Sequence, residues 1–274
     1  GIDLIVVFLA VMKLRAVYIP LDPMEPVARL QAVLADARPA ALVLEDKTVH
    51  MHPWMLGRAA VSDSCAYLSL QNVDWSRSPP AWQCSNARVD DGAYLVYTSG
   101  STGTPKGVMV LQSGLMNVVD SIARAVGKSD LCGVCLSVSN TIFDMAIMDY
   151  LFSLSQGMTL LIADDIRQEG PDYFSALIKE WRPGYFMATP SVHQYFCQHK
   201  LLLSQNAILV LGGEGVSEGL KDRLIQYYGR IYNAYGPCEI TIFSHIAKLT
   251  LTTGVHVGKS IDQTIDYVVD SHGH

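Results

Sequence analysis

The chain has 274 residues, half of them hydrophobic, and a positive mean hydropathy of +0.22, which excludes a disordered chain and requires a sizeable core. Its formal charge of −6 excludes bulk attraction to nucleic acid or to an anionic membrane. The six cysteines, at 65, 84, 132, 135, 197 and 238, follow no disulfide framework and suit a reducing cytoplasm.

The first residues, IDLIVVFLAVMK, lack the positive start and the cleavage site of a signal peptide, and the run is too short to span a bilayer. They read as a buried helix over 2–14 of a chain that starts upstream. Prolines 20, 23 and 26 mark a turn. Residues 26–36 follow as an amphipathic helix with Val27, Leu30, Val33 and Leu34 on one face. A short buried strand is predicted at 40–44, and residues 62–91 lack periodicity and read as a surface connection. A strand begins at Ala93, and a helix is expected from Ser113 to Val126. Strand 133–138, helix 144–155 and strand 158–163 form the next unit. Helix 172–181, strand 185–188, helix 191–203 and strand 207–211 form another. Ser217 is placed to cap a helix reaching Tyr228, followed by strand 230–233, and residues 266–270 look like a last strand. This alternation predicts a layered α/β fold, whose ligands bind at the carboxyl ends of the strands.

One stretch asks for a ligand. Residues 97–107 read YTSGSTGTPKG, with glycines at 100, 103 and 107, hydroxyls on Thr98, Ser99, Ser101, Thr102 and Thr104, and an ammonium on Lys106. Glycines let a ligand approach the main chain, and a concave run of N–H groups with one lysine is suited to a polyphosphate. The spacing is not that of a Walker loop, and Val108-Met109-Val110 predicts a strand after it rather than a helix. A flexible linker would lack the flanking apolar runs.

YTSGSTGTPKG resembles the phosphate-loop signature of the adenylate-forming enzymes, and five further segments match in family order. They are YIPLDP (18–23) with Arg29 and Leu30, Phe143-Asp144, LGGE (211–214), NAYGPCE (233–239), and GVHVG (254–258) with YVVD (267–270). The resemblance is closest to the adenylation domains of nonribosomal peptide synthetases. It implies the layered αβα core of those enzymes, with residues 1–274 one incomplete adenylation core domain, its start and its small C-terminal lid missing.

The activity implied is attack of a carboxylate on the α-phosphate of ATP, giving an acyl-adenylate and pyrophosphate with Mg²⁺ as the metal. By resemblance, Thr98, Ser99, Gly100, Ser101, Thr102, Gly103 and Lys106 grip the β and γ phosphates. Glu239 holds the magnesium. Tyr235 stacks on adenine, Asn233 bonds its amino edge, and Gly213, Glu214, Ala234, Gly236 and Cys238 complete the nucleotide site. Asp144 pairs with the α-ammonium of an amino acid, since a buried carboxylate needs such a partner. Asp144 could also be an ordinary first-turn helix acid. Met145, Met148, Ala188, Val210, Gly212, Ala234, Ile242 and Phe243 correspond to the side-chain pocket. None of them is charged, which implies a neutral, mostly apolar amino acid.

In the whole protein the acyl group would pass to the phosphopantetheine thiol of a carrier protein, with no nucleic acid and no membrane involved. An acid:CoA ligase and a degenerate module without turnover are the alternatives. Three departures from the family pattern stand out: Cys238 in place of threonine, Gln112 in place of histidine, and Leu14 to Tyr18. The last reads as a shortened lysine-alanine-glycine run and predicts strain in that turn. Cys132 and Cys135, and His50 and His52, are metal or redox candidates by spacing alone, and read better as packing and surface residues.

Overall fold

The computed structural model describes residues 1–56, 65–74, 76, 88–99, 105–127 and 133–270. The chain divides into two compact units, Gly1–Met109 and Val110–His274.

In the first unit, α1 (Ile2–Lys13) buries Ile5 and Phe8. The Phe8 ring meets Tyr18 edge-on at 5.1 Å, and Tyr18 bridges to Tyr94 in parallel. The turn after α1 is strained as expected: Arg15 takes a φ of 58°, a left-handed conformation that costs a side-chain-bearing residue. Its guanidinium grips Asp91 through two 2.7 Å hydrogen bonds and holds that carboxyl down at about 2. Helix α2 (Val27–Ala37) packs Leu30 and Leu34 on Leu42 and Leu44 of β1 (Ala41–Leu44), with Met55 and Cys65 completing a small core.

Two elements here were not expected from the sequence. Helix α3 (Asp46–Met51) is a six-residue turn, and β2 (Ala66–Ser69) pairs parallel with β1 inside the stretch read as a surface connection. Most of β2 is exposed, so no apolar alternation marks it. Strands β3 (Gly92–Ser99) and β4 (Pro105–Leu111) pair with each other, and the division between the units falls within β4.

The second unit is built on a seven-stranded sheet. Its strands are β5 (Val134–Ser137), β6 (Thr159–Ile162), β7 (Tyr185–Ala188), β8 (Ile208–Gly212), β9 (Arg230–Tyr235), β10 (His245–Lys248) and β11 (Lys259–Ser260). They lie side by side in the order β6-β5-β7-β8-β9-β10-β11, parallel from β6 to β9 and antiparallel beyond. The parallel strands β7 and β8 are buried along their whole length, as continuous apolar runs flanked by helices must be.

The helices are α4 (Gln112–Val126), α5 (Asp144–Ser155), α6 (Pro171–Trp181), α7 (Pro190–Gln198) and α8 (Glu218–Ile225). Local chemistry sets their starts. Thr189 caps α7 by accepting from the Val192 amide at 3.4 Å, with Pro190 at the first helical position, and Ser217 caps α8 by accepting from Leu220 at 3.2 Å.

Two expected boundaries move and one expected strand does not form. Helix α7 stops at Gln198 because Lys200 turns left-handed at φ 56°, which drops Leu201 and Leu203 into the core. Helix α8 stops at Ile225, and Tyr228 lies beyond it, its hydroxyl accepting from the Leu203 amide at 3.0 Å. Residues 266–270 form no strand: Tyr267 and Val268 stand in solvent and no neighbouring strand offers a ladder among the described residues.

His193 of α7 is fully buried among apolar side chains. Its Nε2 faces the Val210 carbonyl at 3.3 Å, and burial pulls the imidazole down to about 4. Below its ordinary pKa of 6.5 the unfolded chain takes up a proton that the folded chain refuses. The stability is therefore complete above pH 6.5 and declines as pH falls towards 4. The shift corresponds to roughly 3 kcal/mol at most. In urea titrations at pH 7 and pH 4.5, the wild type is expected to lose about 2 kcal/mol more than His193→Gln. Equal losses would show that His193 does not carry this dependence. Burial also raises the Asp149 carboxyl of α5, an effect of opposite sign that cancels in the comparison.

Candidate functional site

The strand order reverses at β5. From it the chain runs through α5 to β6 on one side, then returns through α6 to β7 on the other. Such a reversal opens a crevice at the carboxyl ends of the strands. The sequence-predicted residues of the second unit gather on those ends. Asp144 begins α5 after β5, Ala188 ends β7, Gly212 ends β8, and Ala234 and Tyr235 end β9. Ala188 stands opposite Leu211, and Gly212 opposite Ala234, in the sheet register.

Contacts knit these ends together. A Cβ on Gly213 would lie 3.2 Å from the Met145 sulfur and 3.7 Å from Thr189 Cγ2, and φ is +82° there. A Cβ on Gly212 would lie 2.5 Å from the Phe243 ring and 3.3 Å from the Ala234 carbonyl. Met145, Met148, Ala188, Val210, Ala234, Ile242 and Phe243, the residues read as a side-chain pocket, are each buried.

Asp144 is the exception in that surface. It is only 7% exposed, and its Oδ2 has no hydrogen-bond partner. Burial raises its carboxyl, while contact with the Cys238 thiol and the Met145 amide partly restores the charged form; Glu239 adds repulsion. The thiol is pushed up to about 12, mainly by burial and then by the Asp144 charge. Asp144 does occupy the first turn of α5, where the helix dipole favours an acid, yet no ion pair forms on it among the described residues. A carboxylate so placed either takes up a proton or is several kcal/mol short of compensation until a cation reaches it.

The NAYGPCE segment presents a different surface. Tyr235 is half exposed, its ring 6.1 Å from His245. Asn233 is buried, and its amide nitrogen donates to the His256 carbonyl at 2.8 Å, which leaves its oxygen as the available acceptor. An acceptor is what an adenine amino group needs. Glu214 Oε2 accepts from the amide and hydroxyl of Ser191 in the first turn of α7, so its side chain is tied to that helix. Glu239 is exposed on the short 3-10 turn Cys238–Ile240. No cluster of three metal-ligating side chains occurs among the described residues, so a cation here would draw its remaining ligands from elsewhere. One carboxylate beside phosphate oxygens and water is the usual donor set of Mg²⁺, and Glu239 fits it.

The glycine-rich loop belongs to the first unit. Gly100, Ser101, Thr102 and Gly103 lie outside the described residues. Its flanks are ordered as predicted, strand to loop to strand: Thr98 Oγ1 donates to the Lys106 carbonyl at 3.5 Å, and the Lys106 side chain is exposed. Ser99 ends β3.

The other candidates resolve as structure. His50 Nδ1 meets the Asp46 carbonyl, and His52 Nε2 meets the Pro23 carbonyl beside Trp54. Cys135 is buried in β5, and Cys132 lies outside the described residues. Gln112 is the first residue of α4, with a buried, unpartnered amide nitrogen. Thr189, Ser191 and Thr241 are site neighbours that the sequence reading missed. The Thr-Pro pair is a helix-start signal that could have placed the first two. Nothing in the sequence marks Thr241.

The profile of the AMP-binding enzyme family matches residues 1–274. The chain belongs to the AMP-binding enzyme family. This AMP-binding chain is 30% identical over 273 residues to a dimodular nonribosomal peptide synthase of Bacillus subtilis, covering 98% of itself and 11% of that protein. It is 34% identical over 250 residues to the N-(5-amino-5-carboxypentanoyl)-L-cysteinyl-D-valine synthase of Penicillium rubens, covering 88% of itself and 6% of the relative. The AMP-binding fold also matches solved structures. The nonribosomal peptide synthetase FmoA3 superposes with a TM-score of 0.83 at 20% identity, covering 99% of this chain and 29% of that one. A four-domain nonribosomal peptide synthetase bound to AMP and glycine gives 0.79 at 22%, covering 98% and 19%. The N-terminal subdomain of Klebsiella oxytoca NpsA gives 0.76 at 21%, covering 97% and 66%. The expected layered α/β core is thus the fold this AMP-binding chain has.

Gly236 tests the site's packing. A Cβ there would sit 2.6 to 2.8 Å from backbone atoms of Ile242, Phe243 and Ser244, none of which can swing away. Gly236→Ala should therefore destabilise the chain by about 2–4 kcal/mol. Gly215→Ala, with open space around it, should not. Thermal melting separates the two, and equal melting points would contradict the packing described.

Proposed function

We propose that this chain is the nucleotide- and substrate-binding core of an amino acid adenylation domain. It would activate a neutral, mostly apolar amino acid with MgATP for transfer to a carrier-protein phosphopantetheine thiol. The observation that carries the reading is Asp144, a buried carboxylate with an unpartnered oxygen, set in an apolar surface beside a second acid. An α-ammonium supplies the missing positive charge, and the apolar wall desolvates an uncharged side chain.

In this reading the substrate carboxylate oxygen attacks the α-phosphorus of ATP. The bond from that phosphorus to the β-phosphate oxygen breaks, and pyrophosphate leaves with the electron pair. Positioning and charge neutralisation supply the catalysis. Lys106, Thr98, Ser99 and the loop residues Gly100, Ser101, Thr102 and Gly103 would hold the β and γ phosphates. Glu239 would hold Mg²⁺, whose chemistry is to neutralise phosphate charge. Tyr235 would stack on the base, and the Asn233 oxygen would accept from its amino group. The Gly213-Glu214 and Ala234 to Gly236 main chain would flank the base, with Cys238 near the phosphate side.

Support also comes from the relative that is a dimodular nonribosomal peptide synthase. Residues 1–274 would then form one incomplete domain of a longer cytoplasmic protein. Among the described residues no helix is long and apolar enough to cross a membrane.

Two measurements test the reading. MgATP should raise the melting temperature of the chain, and no shift at millimolar nucleotide would refute nucleotide binding. Labelled pyrophosphate exchange in the full-length protein should be driven by amino acids and not by the matching acids that lack the amino group. Asp144→Asn should raise the amino acid KM by roughly 30- to 150-fold, the cost of losing one charged hydrogen bond. Exchange driven equally by plain carboxylic acids would favour a CoA ligase instead.

A further inference from the structure

The segment joining the 3-10 turn to β10 is bent in a way that ordinary residues avoid. Thr241 and Ile242 take φ values of 68° and 63° in succession. Left-handed backbone is costly for any residue with a Cβ and most of all for a β-branched one, and both of these are β-branched. The Phe243 amide donates to the Thr241 carbonyl at 2.7 Å, closing a three-residue turn around Ile242. The Ser244 amide then donates to the Tyr235 carbonyl at 2.8 Å, which fixes the turn to the end of β9.

Two glycines receive this bent segment. Gly236 accepts its backbone at distances no Cβ would allow, and Gly212 lies under the Phe243 ring. Thr241 lies beside the first turn of α4, where Gly114 leaves it room: a Cβ there would stand 3.0 Å from its Oγ1 and 3.7 Å from its Cγ2. The strained turn is thus held between α4 and the ends of β8 and β9, and Ile242 and Phe243 are almost fully buried by it. Such strain persists only where its surroundings enforce it.

We propose that Thr241 is a positioning residue: seated in the space that Gly114 leaves, it holds the turn that sets Ile242 and Phe243 in the pocket and so fixes which substrate side chains fit. The proposal rests on the adenylation reading above, because only that reading makes this apolar surface a substrate pocket. Thr241 itself touches no substrate. It acts through the placement of its two neighbours.

The test measures binding and requires no turnover. Calorimetry gives Kd values for aminoacyl sulfamoyl-adenosines that carry alanine, valine, leucine or phenylalanine side chains. The wild type is expected to discriminate among the four. Thr241→Gly relieves the strain at residue 241 and removes its side chain together, so its melting temperature should hold or rise while the ratio of weakest to tightest Kd narrows by about tenfold. Gly114→Ala presses on the same turn from α4, where alanine suits the helix, and should change that ratio without lowering the melting temperature. If both variants keep the wild-type ratio within about twofold, Thr241 is only structural and the proposal is overturned. If Thr241→Gly fails to fold, Gly114→Ala decides alone. If the wild type binds none of the four, the adenylation reading fails first and this proposal with it.

Discussion

A carboxylate held away from water at the mouth of a parallel sheet governs the second unit. Asp144 stands where the strand order turns back on itself, and among the described residues its Oδ2 has no hydrogen-bond partner and no ion pair forms on it. Folding alone does not relieve that shortage. A cationic group from outside would do so, which makes the acid a demand for a ligand as well as a part of the scaffold. The parallel strands serve it by ending together, so that segments distant in the chain reach one place.

The layered fold was legible because its signals are local. Continuous apolar runs at 185–188 and 208–212 gave buried strands, Ser217 gave a helix start, and the strand-loop-strand order at 93–111 was read from apolar runs around glycines. Short exposed elements escaped. Strand β2 shows solvent three of its four side chains, and α3 is too brief for a periodicity to register. The strand read at 266–270 failed for the converse reason. Its residues have β-prone side chains, but a strand is made by a neighbour, and none stands beside it among the described residues.

The candidate site was legible as a set of residue types at the ends of strands, and less so as a set of roles. Glu214 reads in sequence as part of the nucleotide site, and the fold adds that its side chain ties to Ser191 at the start of α7. Thr241 carries no sequence signal because its left-handed turn is packed among segments distant in the chain, Gly236 and the first turn of α4. Tertiary enforcement of that kind cannot be inferred from a local window. Conversely, Asp144 was identified by a neighbouring phenylalanine and a chemical argument about buried charge, and its surroundings agree with that argument.

The amide of Asn233 reaches sideways to the main chain at His256, past the antiparallel strand β10, while Gly258 at φ +89° threads a space where any Cβ would fall 2.1 Å from the Ile246 carbonyl. The stretch between them is therefore leashed at both ends to the sheet, by one side chain and by one absence of a side chain. Any side chain at position 258 would therefore have to part this stretch from Ile246 and Ala247 of β10.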